Sequence, residues 1–202
     1  MLHLLVLLAV LPVGEFNAIE THNGAHVVIR YGAAQRVSVI EGDPRCAVVS
    51  VAAGARLVID NKRHDCRRDE HALIEVVTPQ LPAVKVSNGG IVRTLGTFPA
   101  QASIEAAVEQ GGTLDIRSIV ADRVAASVYS GGRIFTNARK TLDARVDSGG
   151  VVTYWGDVED VHKSVHNGGV VQRGKAEDER PQGASGVSRL FMSLNSGRSW
   201  GI

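Results

Sequence analysis

The chain has 202 residues, with 22 lysines and arginines against 21 aspartates and glutamates. This near balance and an aromatic content of 4% argue against nucleic acid as a partner, because its binding needs basic surfaces and stacking rings. With 22 glycines and 6 prolines, the composition fits a turn-rich all-β domain long enough to bury a core.

An apolar run extends from Leu2 to Gly14 and is interrupted only by His3 and Pro12. It is too short to span a bilayer, and its length is typical of the apolar region of a secretory signal peptide. No lysine or arginine precedes the run, so a buried first strand is the alternative. We predict a signal peptide over residues 1–18, export to the periplasm or cell surface, and no integral membrane span after cleavage.

The next part of the chain, from Val27 to Val77, contains five short stretches of strand composition. Turns at Gly32, residues 42–44 and Gly54 separate them. This part is less regular than the centre of the chain. We predict that it forms either the first coils of a repeat or a cap built from strands.

Two cysteines, Cys46 and Cys66, lie in this region, the second within a charged insertion over residues 61–70. In an exported protein they fit a single disulfide, whose loop of about twenty residues contributes roughly 3 kcal/mol in the chain-entropy model. Two unpaired thiols are the alternative.

Five Val-x-x-Gly-Gly units dominate the centre of the chain, at steps of 22, 20, 18 and 19 residues. Their glycine pairs are Gly89-Gly90, Gly111-Gly112, Gly131-Gly132, Gly149-Gly150 and Gly168-Gly169. The valines are Val86, Val108, Val128, Val146 and Val165, and the apolar residues two places after the second glycine are Val92, Leu114, Ile134, Val152 and Val171. Period-two alternation on both sides of a glycine corner predicts two short strands in each unit.

One such unit cannot bury its own apolar face, whereas stacked units align valine on valine. Glycine suits the corner because it accepts positive φ and leaves room for the next coil's backbone. A period near twenty residues indicates a parallel β-solenoid. We predict that it occupies residues 19–174 in coils of roughly 18–22 residues.

The repeat stops after Arg173, and residues 175–202 are predicted to be a disordered or capping tail. The first part is charged and rich in glycine and serine, which is typical of disorder. Its later apolar residues are suited to covering the open last coil, as repeat proteins require. They are Leu190, Phe191, Met192, Leu194 and Trp200.

The ordered series of motifs resembles the family called putative auto-transporter adhesin, head GIN domain, over roughly Phe16 to Gly174. The motifs that precede the glycine corners are Phe16-Asn17-Ala18-Ile19, Gly42-Asp43, Leu57-Val58-Ile59 and Val76-Val77-Thr78-Pro79-Gln80-Leu81. The resemblance implies an exported, right-handed parallel β-helix. It brings no functional residues with it, because the function of the family is unknown.

A weak ligand-binding hypothesis rests on Tyr154 and Trp155, with Asp157 nearby. Exposed on one face, the two rings would stack on a sugar. Packing against a neighbouring loop is the alternative.

Catalytic signatures are absent from the sequence: it has no Gly-x-Ser-x-Gly elbow, phosphate loop, Cys-x-x-Cys pair or dinucleotide fingerprint. His162 and His166 are interpreted as solvated side chains rather than metal ligands. Glu109 and Asp147 align two coils apart, about 10 Å at strand spacing, which is too far for a nucleophile pair and barely permits an inverting arrangement.

We therefore predict no catalytic residue, no cofactor and no metal. The predicted function is that of a non-enzymatic binding or scaffold module of the envelope, with a glycan or an envelope protein as partner. The alternative is a polysaccharide-active β-helix enzyme, either a lyase or a glycoside hydrolase.

Overall fold

The computed structural model describes residues 9–61, 66 and 72–175. Most of these residues are in β-strands, and a short 3₁₀ helix is present at Pro44–Cys46. The strands are β1 (Ala9–Leu11), β2 (Ala18–His22), β3 (His26–Tyr31), β4 (Arg36–Glu41), β5 (Ala47–Ala52), β6 (Arg56–Asn61), β7 (Leu73–Thr78), β8 (Ala83–Ser87), β9 (Ile91–Leu95), β10 (Gln101–Glu109), β11 (Thr113–Tyr129), β12 (Arg133–Val146), β13 (Val151–Trp155), β14 (Asp160–Val165) and β15 (Val170–Arg173).

These strands form one 15-stranded mixed sheet that is nearly closed and barrel-like. The prediction of a right-handed parallel β-helix is therefore wrong. Strand β4 runs antiparallel to both β1 and β7, and β5 runs antiparallel to β6. The physical reason is local: β5 and β6 are joined by residues 53–55 alone, and so short a link permits only antiparallel pairing.

The repeat columns are aligned by parallel pairing within this sheet, so the predicted stacking of valine on valine is confirmed. Val108 pairs in register with Val86 and Val128, and Val146 pairs with Val128 and Val165. The first four of these valines are fully buried. Each buried valine contributes about 1.5–3 kcal/mol relative to an exposed one, so the column is a main source of stability.

The two glycines of the Gly149-Gly150 corner have different roles. Gly149 has a φ of +80°, and Ser148 before it has a φ of +56°, which resembles the left-handed pair of a type I′ turn. Gly150 needs no left-handed backbone, but a β-carbon there would lie 2.3 Å from Val128 Cγ1. The first glycine thus relieves backbone strain, and the second makes room for the neighbouring repeat.

A disulfide joins Cys46 to Cys66, with the Cα atoms 5.6 Å apart. Cys46 ends the 3₁₀ helix and is fully buried. The bond links the residue before β5 to the connection that comes after β6.

The predictions for the two ends of the chain fall largely outside the described residues. Ala9–Leu11 form β1, whose Val10 pairs with Ser38, but residues 1–8 of the predicted signal peptide lie outside. In the predicted tail, only Lys175 is described. Across the described ranges, no helix has the length and apolarity needed to cross a membrane.

Candidate ligand-binding groove

The outer face of the sheet carries polar side chains on four neighbouring parallel strands, β10, β11, β12 and β14. Successive side chains of a strand point to opposite faces, so the residues between the buried columns point outward. One outward row is formed by Glu105, Ala125, Asp143 and His162, which are partners in register. A second row contains Ser127, Arg145 and Ser164.

A groove of about 480 Å³ lies across these rows. Ala125 has a short side chain between Glu105 and Asp143, and Ser127 has one beside Arg145, which leaves space for the groove. Its lining residues are Glu105, Ala125, Ala126, Ser127, Tyr129, Asp143, Ala144, Arg145, His162, Lys163 and Ser164.

Tyr129 supplies the aromatic surface of the groove. The residue is 44% exposed, although it follows the fully buried Val128 in the strand. Its neighbour in register, Glu109, is bound by Lys85, whose Nζ lies 2.9 Å from the Glu109 carboxylate. The ring therefore lies beside a paired charge and remains accessible to a ligand.

The charged side chains of the groove interact only weakly with one another. Asp143 Oδ1 and His162 Nδ1 are 3.7 Å apart, and both side chains are more than 60% exposed. Ion pairs this exposed contribute about 0–1 kcal/mol, so they are easily replaced by bonds to a ligand.

The predicted family resemblance is confirmed. Residues 96–157 match the family model described as "Putative auto-transporter adhesin, head GIN domain". This GIN-domain match spans β10 to β13, and so includes Glu105, Tyr129, Asp143 and Arg145 of the groove. No match was found among the curated proteins.

Several solved structures are similar to the chain. A putative adhesin from Bacteroides fragilis has 16% identity and a TM-score of 0.49, with 83% of this chain and 96% of that one covered. A putative adhesin from Parabacteroides merdae has 12% identity and a TM-score of 0.33, covering 83% and 95%. A putative lipid binding protein from Parabacteroides distasonis has 14% identity and a TM-score of 0.33, covering 83% and 96%.

The aromatic pair near the end of the GIN-domain match does not form one surface. Trp155 is 3% exposed, its ring lies 4.8 Å from Arg117 Cζ, and its Nε1 donates to the carbonyl oxygen of Lys175 at 3.0 Å. Tyr154 packs against the hydrophobic core instead, with Lys163 Nζ 5.7 Å from its ring centre. Adjacent strand residues face opposite ways, so a single ligand cannot contact both rings.

Asp157, the third residue of that hypothesis, is exposed and forms an ion pair with Arg173 at 2.9 Å. The hypothesis of a site on Tyr154, Trp155 and Asp157 stays a prediction, and the burial of Trp155 does not favour it. In the sequence, Tyr129 is distinguished only as a member of an outward column. The signal that would have identified the groove is the run of short side chains beside it, Ala125 and Ser127.

Glu109 and Asp147, the two carboxylates that align in the sequence, are each bound by another side chain, Glu109 by Lys85 and Asp147 by Asn167. Asp147 accepts a hydrogen bond from Asn167 Nδ2 at 2.8 Å, and this bond holds the pKa of Asp147 below its usual value. Asp115 forms a two-pronged contact with Arg117 at 2.7 and 2.9 Å, on a different segment of β11 from the groove. The fold therefore does not bring Asp115 and Asp147 together.

The two histidines that lie four residues apart in the sequence, His162 and His166, contact different side chains. His162 lies near Asp143, whereas His166 Nε2 lies 3.3 Å from Ser164 Oγ. Within residues 9–61, 66 and 72–175, no group of three or more His, Cys, Asp or Glu side chains is arranged to hold a metal ion.

Proposed function

We propose that this protein is a non-enzymatic module of the cell envelope or cell surface that binds a glycan in the groove. The observation that carries the proposal is the exposed ring of Tyr129 at the edge of a groove that also holds Glu105, Asp143 and Arg145.

The chemistry of this lining suits a sugar. A pyranose ring offers a flat apolar face, which an aromatic ring covers well, and hydroxyl groups at its edge. Carboxylates accept hydrogen bonds from hydroxyls, and the guanidinium group of Arg145 donates them. The short side chains of Ala125 and Ser127 leave room for the ring between these groups.

The size and openness of the site support a segment of a chain rather than an enclosed small molecule. A volume of about 480 Å³ is within the usual range for ligand pockets, roughly 300–1,000 Å³. Both Glu105 and Asp143 are exposed, so the groove is accessible from solvent along its length. A polysaccharide can then continue beyond the groove at either end.

Two further observations support export. The disulfide between Cys46 and Cys66 is typical of oxidising compartments outside the cytoplasm. The matched family is described as "Putative auto-transporter adhesin, head GIN domain", which is consistent with export.

Binding without turnover is supported by the state of the carboxylates. Asp147, whose pKa is lowered by the hydrogen bond from Asn167, lies outside the groove lining. In the groove, Glu105 and Asp143 are separated by β11, which places their strands about 9.6 Å apart. That exceeds the roughly 5 Å spacing of a retaining glycosidase and lies at the upper limit of the roughly 6.5–9.5 Å spacing of an inverting one.

The test is a glycan array followed by titration calorimetry with the strongest ligand. Tyr129→Ala should weaken binding about tenfold, equivalent to about 1.4 kcal/mol. Tyr31→Ala is the matched control, because Tyr31 is similarly exposed at 47% and lies outside the groove lining. Equal affinity of the wild type and Tyr129→Ala would refute the groove.

The same ligand should also be incubated with the protein and assayed for new reducing ends. We expect none. Release of sugar that Asp143→Ala abolishes would contradict the non-enzymatic assignment and favour the polysaccharide-active alternative.

A further inference from the structure

The last repeat leaves its inner side chains uncovered. Val146 is fully buried, yet Val165, its partner in register, is 41% exposed. In the second column, Val152 is fully buried and its partner Val171 is only partly buried. The difference arises because a repeat stacks on Val146 and Val152, whereas within the described residues none stacks on the last pair.

The strand edges at this end are also open. Within the described part of the chain, β14 pairs only with β12, and β15 pairs only with β13. Unpaired edges expose rows of N–H and C=O groups, and repeat stacks need a cap to protect them. At one end of the strand path, β5 and β6 form an antiparallel hairpin.

The chain leaves the described part at this open end. The backbone N–H of Gly174 donates to the carbonyl oxygen of Tyr154 at 2.8 Å. Trp155 Nε1 donates to the carbonyl oxygen of Lys175 at 3.0 Å. These two bonds fix the starting point of residues 176–202 beside the uncovered repeat.

Residues 176–202 contain an apolar segment, and apolar cover is what the last repeat lacks. In the sequence Leu-Phe-Met-Ser-Leu at 190–194, four of the five residues are apolar, and Leu190, Met192 and Leu194 stand at alternate positions. The fifteen residues from Lys175 to Leu190 reach about 50 Å when extended, far more than one repeat requires.

We propose that residues 190–194 fold back over the last repeat, so that Leu190, Met192 and Leu194 cover Val165 and Val171. The proposal concerns the stack and does not depend on the glycan groove.

Hydrogen exchange of the full-length chain, followed by mass spectrometry, tests this proposal. The triple variant Leu190→Ser/Met192→Ser/Leu194→Ser should raise exchange in β14 and β15 by at least about tenfold, because their protection then reflects an uncovered edge. Arg189→Ala/Ser193→Ala/Asn195→Ala is the control, since it changes the same segment at positions off the apolar face. Peptides from β10 and β11, in the interior of the stack, report in the same samples whether each variant remains folded.

Faster exchange in β14 and β15 of the first variant alone, with β10 and β11 unchanged, supports the cap. Equal exchange in the wild type and the first variant overturns it. A third result also overturns it: the protection falls on dilution, is unchanged in the first variant, and is accompanied by a dimer in light scattering. That result assigns the open end to a second copy of the chain.

Discussion

A β-carbon added to Gly150 would lie 2.3 Å from Cγ1 of Val128, one repeat earlier. At Gly149, by contrast, an added β-carbon meets no atom within 4 Å, although its φ is +80°. Two adjacent glycines are therefore required for different reasons, one for the space beside it and one for its backbone conformation.

The contact predicts the behaviour of Gly150→Ala. The extra methyl group forces Val128 to shift, and such overpacking costs about 1–3 kcal/mol. In the double variant Gly150→Ala/Val128→Ala, the shorter side chain accepts the methyl group. We expect the loss of unfolding free energy in the double variant to be smaller than the sum of the two single losses, measured by chemical denaturation.

Gly149→Asn is the matched control, because asparagine tolerates left-handed φ and the site is open. It should change the unfolding free energy by less than about 1 kcal/mol. Additive losses in the cycle of Gly150 and Val128 would show that the close approach does not govern this corner.

The alternation of β11 predicts opposite effects for neighbouring residues. Val128→Asp places an unpaired charge in the buried column and should cost about 4 kcal/mol or more. Tyr129→Asp should be nearly neutral for stability, since that residue is exposed, but should abolish glycan binding. Thermal unfolding compares the two variants, and similar shifts in Tm would contradict the assigned faces.

Much of the carboxyl-terminal half was predictable from sequence, because each repeat places the same residue type at the same point of the sheet. The pairing of Val108 with Val128 follows from aligning their glycine corners. The amino-terminal half has no such repeat, and the antiparallel return of β5 on β6 depends on a link of three residues. Strand composition alone does not encode that direction.

The groove was not predictable for a related reason. The inward columns can be recognised in the sequence by their uniform apolar residues, whereas the residue type in the outward columns varies from repeat to repeat. Tyr129 lines the groove beside Ala125 and Ser127 of its own strand, and the short side chain of Ala125 leaves space between Glu105 and Asp143. Conversely, the aromatic ring of Trp155 suggested stacking on a sugar, but Arg117 and the chain at Lys175 cover that ring.

Asp122 predicts a pH dependence of stability. Lys140 and Arg139 donate hydrogen bonds to its carboxylate and hold its pKa below the ordinary value of 3.8. A pKa lower in the folded than in the unfolded state stabilises the fold above the unfolded pKa, and that contribution is lost as pH falls through the folded pKa. The Tm of the wild type should therefore exceed that of Asp122→Asn near neutral pH, and the difference should shrink as the pH falls below 3.8 and through the folded pKa.

Glu159→Gln is the control for this titration. Glu159 is another exposed carboxylate close to Lys140, because its backbone N–H donates to the Lys140 carbonyl oxygen at 3.0 Å. At neutral pH, the difference in Tm between Glu159→Gln and the wild type should be smaller than the difference between Asp122→Asn and the wild type. A gap between the wild type and Asp122→Asn that persists unchanged at low pH would mean that the ionised carboxylate is not its source.

The disulfide predicts the effect of reduction. Cys46 and Cys66 close a loop of 20 residues, and removing the bond should cost about 3 kcal/mol in the chain-entropy model. Protein purified from an oxidising compartment should show no reactive thiol, and dithiothreitol should lower its Tm to that of Cys46→Ala/Cys66→Ala. The double variant itself should not respond to dithiothreitol, which separates loss of the bond from other effects of the reductant. Two reactive thiols in the untreated, folded protein would refute the bond and, with it, one of the two supports for export.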